Sequence, residues 1–220
     1  MSPMKRVFAP GCALVLHNPD AARRLREHIE TKFGPVAEHL TCCRHEPGLE
    51  RGTQVINVCP GCDKRFRTLY EGIATISLWE ILASDASFPW PNYGGIRMAV
   101  LDACPTRDQE RVHEAVRAVL RRINVIPQEP AATRTKSICC GDSFFGEIPV
   151  EQVKAQMTKR ATDMPTEDVA VYCVSCVKAI HIGGKRPRYL VDLVFGESTL
   201  PKTFEPEDWH RELDAYIDAH

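Results

Sequence analysis

The sequence of 220 residues lacks the features that would place it in a membrane, in a secretory pathway or on nucleic acid. Its longest apolar runs, such as MAVL from Met98, are far too short to cross a bilayer. The opening MSPMKRVFAPG carries basic residues, but no apolar stretch or small-residue cleavage site follows them. The formal net charge is −1, without a basic stripe or an acidic tail. We therefore expect a cytoplasmic protein with no membrane span and no nucleic-acid partner.

Two redox motifs are also missing from the sequence. No G-x-G-x-x-G loop is present, so an ordinary dinucleotide site is not predicted. The bacterial ferredoxin run C-x2-C-x2-C-x3-C is absent as well. No flavin site can be identified from the sequence. Any redox chemistry would therefore need a partner protein to supply or remove electrons.

Cysteine, by contrast, is abundant. A cytoplasmic protein should not use its ten cysteines as structural disulfides, which favours metal binding or redox catalysis. The cysteines occur in one order, single, adjacent pair and C-x2-C, and this order is found twice. The first set is Cys12, Cys42, Cys43, Cys59 and Cys62, and the second set is Cys104, Cys139, Cys140, Cys173 and Cys176. An internal duplication is the simplest account of this pattern.

The segments around the cysteines predict an α/β fold of two pseudo-symmetric, Rossmann-like halves with parallel sheets. Short apolar runs, predicted to be strands, precede the single cysteines and the C-x2-C pairs, and amphipathic helices follow. The cysteines then lie at the carboxyl ends of strands, where ligands collect in open α/β sheets. The predicted domains are residues 1–83, a linker at 84–95, residues 96–196, and a tail with a helix at 197–220.

Three helices can be predicted in more detail. The first has Asn18 as N-cap, Pro19 at its first position and Gly34 at its end. A second runs over DKRFRTLYEG to Gly72. The apolar face of the first helix comprises Ala22, Leu25, Ile29 and Phe33, and that of its counterpart in the second half comprises Val112, Val116, Val119 and Ile123. The linker aromatics Trp90 and Tyr93 are expected to pack the two halves together.

Three chemistries are compatible with five cysteines in each half. A structural zinc site takes four ligands, usually from two C-x2-C knuckles, whereas each half has one. A dithiol enzyme would use the C-x2-C pair and leave three cysteines unexplained. An iron–sulfur cluster is held by thiolates from separate segments, and adjacent cysteines can contact different irons. The cluster uses the cysteines most completely.

The second half resembles a known family. Its pattern has 34 residues between Cys104 and Cys139, then the adjacent Cys140, which Gly141 follows, and 32 residues between Cys140 and the Cys173-x2-Cys176 motif. This resembles the cysteine-rich CCG domain, found in the disulfide-cleaving component of heterodisulfide reductase and in iron–sulfur subunits of glycolate, lactate and glycerol-3-phosphate oxidation. The resemblance extends over residues 7–196. It implies two noncubane [4Fe-4S] clusters, each on one set of five cysteines, with a disulfide cleaved between them.

The first half departs from this pattern. Arg44 follows Cys43 where the second half has Gly141, and only 15 residues separate Cys43 from Cys59. A helix is therefore expected to be missing from the first half, which leaves the type of its cluster open. Gly141 is expected to adopt a positive φ and to allow close approach of the backbone to a cluster. Candidate contacts to a substrate or its carboxylate are Arg44, His45, His181 and Lys185, together with Lys64 and Arg65. For Arg44 a surface position is the alternative, and for the histidines and lysines and for Arg65 solvent-exposed positions are favoured.

Three functions remain open. The protein is an oxidoreductase component that cleaves a small-molecule disulfide into two thiols, or it only relays electrons in a flavin-linked hydroxyacid oxidase-type complex. Either one requires an electron-donor protein, which is a ferredoxin-like protein or a flavoprotein. The third is a zinc-stabilised interaction module. Whether the chain is an enzyme in its own right is not decided by the sequence.

Overall fold

The computed structural model describes residues 4–40 and 45–220, which form two α/β halves built on the same plan. The first half comprises β1 (Arg6–Ala9), α1 (Cys12–His17), α2 (Pro19–Phe33), β2 (Ala37–Glu38), β3 (Gln54–Asn57), α3 (Pro60–Leu69), β4 (Ala74–Ser77) and α4 (Leu78–Ala83). The second half comprises β5 (Ile96–Leu101), α5 (Glu110–Arg122), β6 (Val125–Gln128), α6 (Val150–Thr162), β7 (Asp168–Val171), α7 (Val174–Ile182), β8 (Arg186–Tyr189) and α8 (Leu190–Val194). The last helix is α9 (Pro206–Ala219).

Each half contains one four-stranded sheet in which neighbouring strands are parallel. The strand orders are β2-β1-β3-β4 and β6-β5-β7-β8, so each strand of the first sheet has a counterpart in the second. Val7 lies opposite Val55 in the first sheet, and Ala99 lies opposite Val169 in the second. The predicted fold class, two pseudo-symmetric Rossmann-like halves with parallel sheets, is confirmed.

Helix α2 forms as its end signals predict. The Asn18 side chain accepts a hydrogen bond from the Ala21 backbone N–H, and Gly34 ends the helix with a φ of 75°. Phe33 does not join the buried face, because it is 38% exposed and lies under the Arg6 guanidinium. The other predicted residues of that face are buried: Ala22, Leu25 and Ile29.

The two halves differ in the segment between the adjacent cysteine pair and the next strand, where only the second half has a helix among the described residues. Helix α6 lies between the adjacent cysteine pair and β7, and no helix precedes β3 at residues 45–53. The shorter spacing in the first half therefore corresponds to the helix that was expected to be missing. Helix α5 buries the complete apolar face predicted for it, which consists of Val112, Val116, Val119 and Ile123.

The bounds predicted for the helix after the first C-x2-C motif were wrong. Helix α3 begins at Pro60, inside the motif, and ends at Leu69 rather than at Gly72. Proline is favoured at the first helical position because its missing N–H would have no helical partner there. Tyr70 has extended backbone angles, so it ends the helix before the glycine is reached.

The two halves share one apolar core, and the linker contributes to it. Helix α4 packs against α5, and the Trp79 side chain is fully buried. The Tyr93 hydroxyl donates to the Leu193 carbonyl oxygen at 3.0 Å, while Trp90 lies under the Arg122 guanidinium. Both linker aromatics therefore contact the second half, and their expected role in packing the two halves together stays a prediction. The boundaries of the predicted domains stay predictions.

Helix α9 docks across both halves. It packs against α1 of the first half and α6 of the second, with Trp209 and Ile217 buried. Its position agrees with the helix predicted in the tail. In the part of the chain at 4–40 and 45–220, no helix is both long enough and apolar enough to cross a membrane.

Candidate functional site

Four of the described cysteines, Cys12, Cys59, Cys104 and Cys173, lie just beyond the carboxyl ends of the central strands of the two sheets. Cys12 begins α1, three residues after β1, and Cys104 begins a short 3₁₀ turn, three residues after β5. Cys59 and Cys173 are the N-cap residues of α3 and α7. These positions follow the prediction from the strand pattern. The pair at 42 and 43, and the arginine at 44, lie outside the described residues.

The second set of cysteines forms a continuous chain of sulfur contacts. Hydrogen bonds join Cys104 to Cys139, and Cys139 to its neighbour Cys140. They continue from Cys140 to Cys176 and from Cys176 to Cys173. The five thiols come from three separate loops and form no disulfide. The fold therefore brings all five predicted ligands of the second half together.

These contacts divide the thiols into one that favours the thiolate and others that favour the thiol. Hydrogen bonds from Cys104 and Cys140, assisted by Ser143 and the Gly141 N–H, lower the pKa of Cys139 far below its usual value. The hydrogen bond to Cys139 raises the pKa of Cys104, and so does burial. Cys139 also raises the pKa of Cys140. Neighbouring donors thus favour the thiolate form of Cys139.

The loop that carries the adjacent pair depends on Gly141. Its φ is +115°, as expected for a glycine that terminates a tight turn. A Cβ at this position would lie 2.9 Å from Met157 Cγ and 3.0 Å from Met157 N. The close approach that requires glycine is thus to α6, and it presses the cysteine loop against that helix. The Ser143 hydroxyl lies 2.9 Å from Cys139 Sγ.

A different glycine performs a comparable role in the first half. Gly11 has a φ of +84°, and a Cβ there would lie 2.6 Å from the Cys59 Cβ. The same position is 3.5 Å from Cys62 Sγ. The loop before Cys12 therefore packs directly against the C-x2-C motif. Sequence analysis missed Gly11, although its place between a strand and a cysteine in APGC was a usable signal.

A cavity of about 220 Å³ lies between the two halves, and cysteines from both sets line it. Cys12, Cys59 and Cys62 belong to the first set, and Cys104, Cys173 and Cys176 belong to the second. The remaining lining is mainly apolar, and Asp142 is the one charged side chain among the described residues that line it. The pseudo-symmetric fold thus directs two thiol sets at one shared space.

Two residues outside the cysteine sets help to close this cavity. Tyr189, at the end of β8, lies near cysteines of both halves: burial raises its pKa, and the charges of Cys59, Asp192 and Cys173 raise it further. Leu213 reaches the cavity from α9. Neither was identified from the sequence, because no local pattern connects a strand end at 189 or a C-terminal helix with the cysteines.

Helix dipoles add positive potential on the cysteine side of the cavity. Helices α3 and α7 begin immediately after Cys59 and Cys173, so their N-termini face the two thiol sets. Helix N-termini favour thiolates and other anions. The site is therefore suited to a group that carries negative charge and is held by sulfur.

Among the residues that the structure describes, the basic side chains and histidines predicted as substrate contacts do not line the cavity. Lys185 Nζ donates to the carbonyl oxygens of Met164 and Thr166, and His181 contacts the Phe204 ring. Lys64 and His45 are exposed. The guanidinium of Arg65 lies 5.8 Å from the centre of the Tyr70 ring. The structure thus places these side chains apart from the thiols.

The thiols of the second set have the donor chemistry that an iron–sulfur cluster requires. Thiolates are the protein ligands of [4Fe-4S] clusters, and here five thiols from three loops converge in the second half. In residues 4–40 and 45–220, no group of three or more His, Cys, Asp or Glu side chains is arranged to hold a single metal ion.

Comparisons with known proteins leave the family open. No family model matches the chain, and no curated protein matches its sequence. One solved structure with some likeness is the aspartate racemase of Picrophilus torridus, at 10% identity and a TM-score of 0.35. That likeness covers 86% of this chain and 90% of the racemase. At this level of similarity it says nothing about activity.

Proposed function

We propose that this protein is an iron–sulfur oxidoreductase component that cleaves a disulfide between two thiol-held clusters. The observation that carries the proposal is the shared cavity of about 220 Å³, lined by Cys12, Cys59 and Cys62 of the first set and by Cys104, Cys173 and Cys176 of the second. Two redox centres that border one space can act on the two atoms of a single bond. Separate, distant sites would be sufficient for electron storage alone.

The second set would hold its cluster on Cys104, Cys139, Cys140, Cys173 and Cys176. The first set would use Cys12, Cys59 and Cys62, together with the cysteine pair outside the described residues. When bound, the clusters would supply the electrons, one for each sulfur of the substrate. The protein itself positions the thiolates, excludes water with Tyr189 and Leu213, and offers helix N-termini to the negative charge.

The proposed reaction is balanced by an external reductant. One disulfide takes up two electrons and two protons, its S–S bond breaks, and two thiols leave. The electrons come from a one-electron carrier protein or a flavoprotein, because the chain shows no dinucleotide loop of its own. Asp142, whose Oδ1 lies 3.1 Å from His210 Nε2, would lie beside the substrate, so a neutral or cationic group near the disulfide is favoured over a carboxylate.

Electron relay without catalysis is the second candidate, and the surface near Cys139 favours it. Cys139 is partly exposed, and two apolar neighbours, Ile138 at 55% and Phe144 at 40% exposure, lie on either side of it in the chain. Exposed apolar side chains beside a redox centre suit the docking of an electron-transfer partner. A relay would use this surface and leave the shared cavity without a substrate.

The deciding experiment begins with iron and acid-labile sulfide in protein purified without oxygen. The proposal expects about eight irons for each chain, the sum for two four-iron clusters. The chemically reduced protein should then convert a set of neutral and cationic disulfides into thiols, with two thiols formed for every two electrons consumed. Clusters that reduce and reoxidise without cleaving any disulfide would favour the relay. Zinc in place of iron and sulfide would overturn both.

A further inference from the structure

A buried polar network lies directly behind the cysteines of the second half. Asp102 follows β5, two residues before Cys104, and is 1% exposed. The fully buried guanidinium of Arg117 binds the Asp102 carboxylate through two hydrogen bonds. Nη1 donates to Oδ1 at 2.6 Å, and Nη2 donates to Oδ2 at 2.8 Å. Burial by itself would raise the pKa of Asp102, but the hydrogen bonds and charge of Arg117 lower it below its usual value. The carboxylate is therefore charged and fixed in orientation.

Asp102 connects the three segments that carry the second set of cysteines. The Tyr172 hydroxyl donates to Asp102 Oδ1 at 3.2 Å, and Tyr172 immediately precedes Cys173. The Ser137 hydroxyl donates to the Asp102 carbonyl oxygen at 2.6 Å, two residues before Cys139. The backbone N–H of Arg134 donates to Oδ2 at 2.7 Å. One residue thus joins the loops of Cys104, Cys139 and Cys173.

Tyr172 strengthens the link between two of these loops. Its hydroxyl oxygen accepts a hydrogen bond from the Ala103 N–H at 3.1 Å, next to Cys104. It also lies 2.8 Å from Thr106 Oγ1, whose hydroxyl donates to the Ala103 carbonyl oxygen at 2.8 Å. Both ends of the short turn that contains Cys104 are therefore tied to the residue before Cys173.

The first half adopts the same fold without this network. The equivalent of Asp102, two residues before the single cysteine, is Pro10. The equivalent of Tyr172, directly before the C-x2-C motif, is Val58. The strand order and the helix that follows each motif are nevertheless the same. Fold formation therefore does not require the network.

Stability is also a poor explanation for a buried ion pair. Removing two charges from water is unfavourable, and replacing such a pair by apolar residues is often neutral or stabilising. The first half has apolar residues, Pro10 and Val58, at the two equivalent positions. A fixed polar link is more useful where loops must hold thiols in one arrangement. Residues that hydrogen-bond to metal-ligating side chains orient those ligands in the same way.

We propose that Asp102, held by Arg117, is a positioning residue that fixes the cysteine loops of the second half for its cluster. The inference rests on the proposed iron–sulfur function and gives the two sites different architectures. The second set is tied together by the Asp102 network, whereas in the first set the Cys12 loop packs against the C-x2-C motif at Gly11, and Asp63, next to Cys62, binds Arg67. Asp102 itself need not touch the cluster.

The test is Asp102→Asn, which keeps the side-chain shape and removes the buried negative charge bound to Arg117, while Glu129, the other carboxylate that Arg117 binds, remains. Mutation of a residue that hydrogen-bonds to a metal ligand typically lowers metal affinity by about 10–100-fold. At a chelator concentration that leaves the wild-type protein intact, iron should fall from about eight to about four for each chain. The absorption and electron paramagnetic resonance signals that remain should be those of a protein whose second set has been removed by Cys104→Ser.

Asp85→Asn is the matched control. Asp85 is also a buried carboxylate, 4% exposed, and it binds Lys32 Nζ at 2.8 Å and His28 Nε2 at 2.6 Å. It lies in the linker, and none of these partners lines the cavity. This variant should lose stability and keep all its iron. Equal iron loss in both variants, in proportion to their unfolding, would overturn the positioning role.

A second readout uses the metal-free protein and separates this inference from the proposed function. Alkylation rates of the individual thiols, followed by mass spectrometry, should change by several-fold at Cys104, Cys139 and Cys173 in Asp102→Asn, with unchanged rates at Cys59 and Cys62. Unchanged rates at all five would overturn the inference, even if the wild-type protein binds iron. If Asp102→Asn does not fold, Tyr172→Phe, which removes only the hydroxyl, undergoes the same tests.

Discussion

At the scale of single residues, Gly11 shows how closely the first cysteine set is packed. We predict that Gly11→Ala destabilises the protein more than an ordinary change at a positive φ. With φ +84° and ψ +140°, Gly11 lies outside the left-handed α region, and such sparsely populated backbone angles cost an alanine about 1–3 kcal/mol. The new Cβ would also lie 2.6 Å from the Cys59 Cβ, so the Cys12 loop or the C-x2-C motif must move. Urea unfolding of the metal-free protein measures the loss of stability. Iron content measures the displacement of the cysteine segments.

Gly34→Ala is the control for this prediction. Gly34 has a φ of +75°, but a Cβ there meets nothing within 4 Å. It should therefore show the backbone effect alone and keep its full iron content. Equal destabilisation in the two variants, with equal iron, would contradict the role assigned to the contact between Gly11 and Cys59.

At the scale of elements, the docking of α9 depends on a buried lysine of α7. Lys178 is 2% exposed, its ammonium lies 4.7 Å from the centre of the Trp209 ring, and it donates to the Pro201 carbonyl oxygen. Burial lowers its pKa from 10.5 to about 8. The folded protein therefore releases this proton at a lower pH than the unfolded chain does.

This shift predicts how stability depends on pH. Between pH 8 and 10.5 the unfolded chain holds the proton and the folded protein does not, so stability rises with pH. Below pH 8 the full penalty of the buried charge remains. Relative to Lys178→Met, the wild-type protein should gain about 3 kcal/mol over this interval, at 1.36 kcal/mol for each pKa unit. Urea unfolding of both metal-free proteins at several pH values measures this. A constant difference would contradict it.

The elements also show which parts of the structure can be predicted from sequence. Helix α2 was predictable because its signals are local: Asn18 caps it, Gly34 ends it and the apolar spacing matches the helical period. Phe33 was misplaced because the Arg6 side chain covers it on the surface. The start of α3 was missed because Pro60, the first residue of the helix, lies inside the C-x2-C motif.

The candidate site was only partly predictable, for a related reason. Repetition in the sequence was enough to group the cysteines into two sets, and strand ends placed them at one edge of each sheet. That the sets face one cavity depends on how the halves pack, and Tyr189 and Leu213 enter it from distant elements. The Asp102 network likewise requires tertiary contacts with Arg117 and Tyr172.

At the scale of the whole molecule, the two halves form one functional unit and not two copies of a site. Arg67 of the first half donates to Asp108 and to the Pro105 carbonyl oxygen of the second, next to Cys104. His17 Nε2, in the first half, lies 3.2 Å from Asp192 Oδ2 in the second. These contacts fix the distance across the shared cavity. A reaction that needs the cysteines on both sides of the cavity should therefore fail when either cysteine set is incomplete.

This gives a prediction that separates disulfide cleavage from electron relay. Cys12→Ser and Cys104→Ser each remove one thiol that lines the cavity, one from each set. If cleavage needs both clusters, each variant should keep about four irons, the content of one cluster, and lose disulfide cleavage almost completely. Both should still accept electrons from a chemical reductant. A pure relay, in contrast, should keep electron transfer in the variant that retains the cluster nearest its partner. A single-set variant that still cleaves disulfides at the wild-type rate would show that one cluster is sufficient, and the shared cavity would need a different explanation.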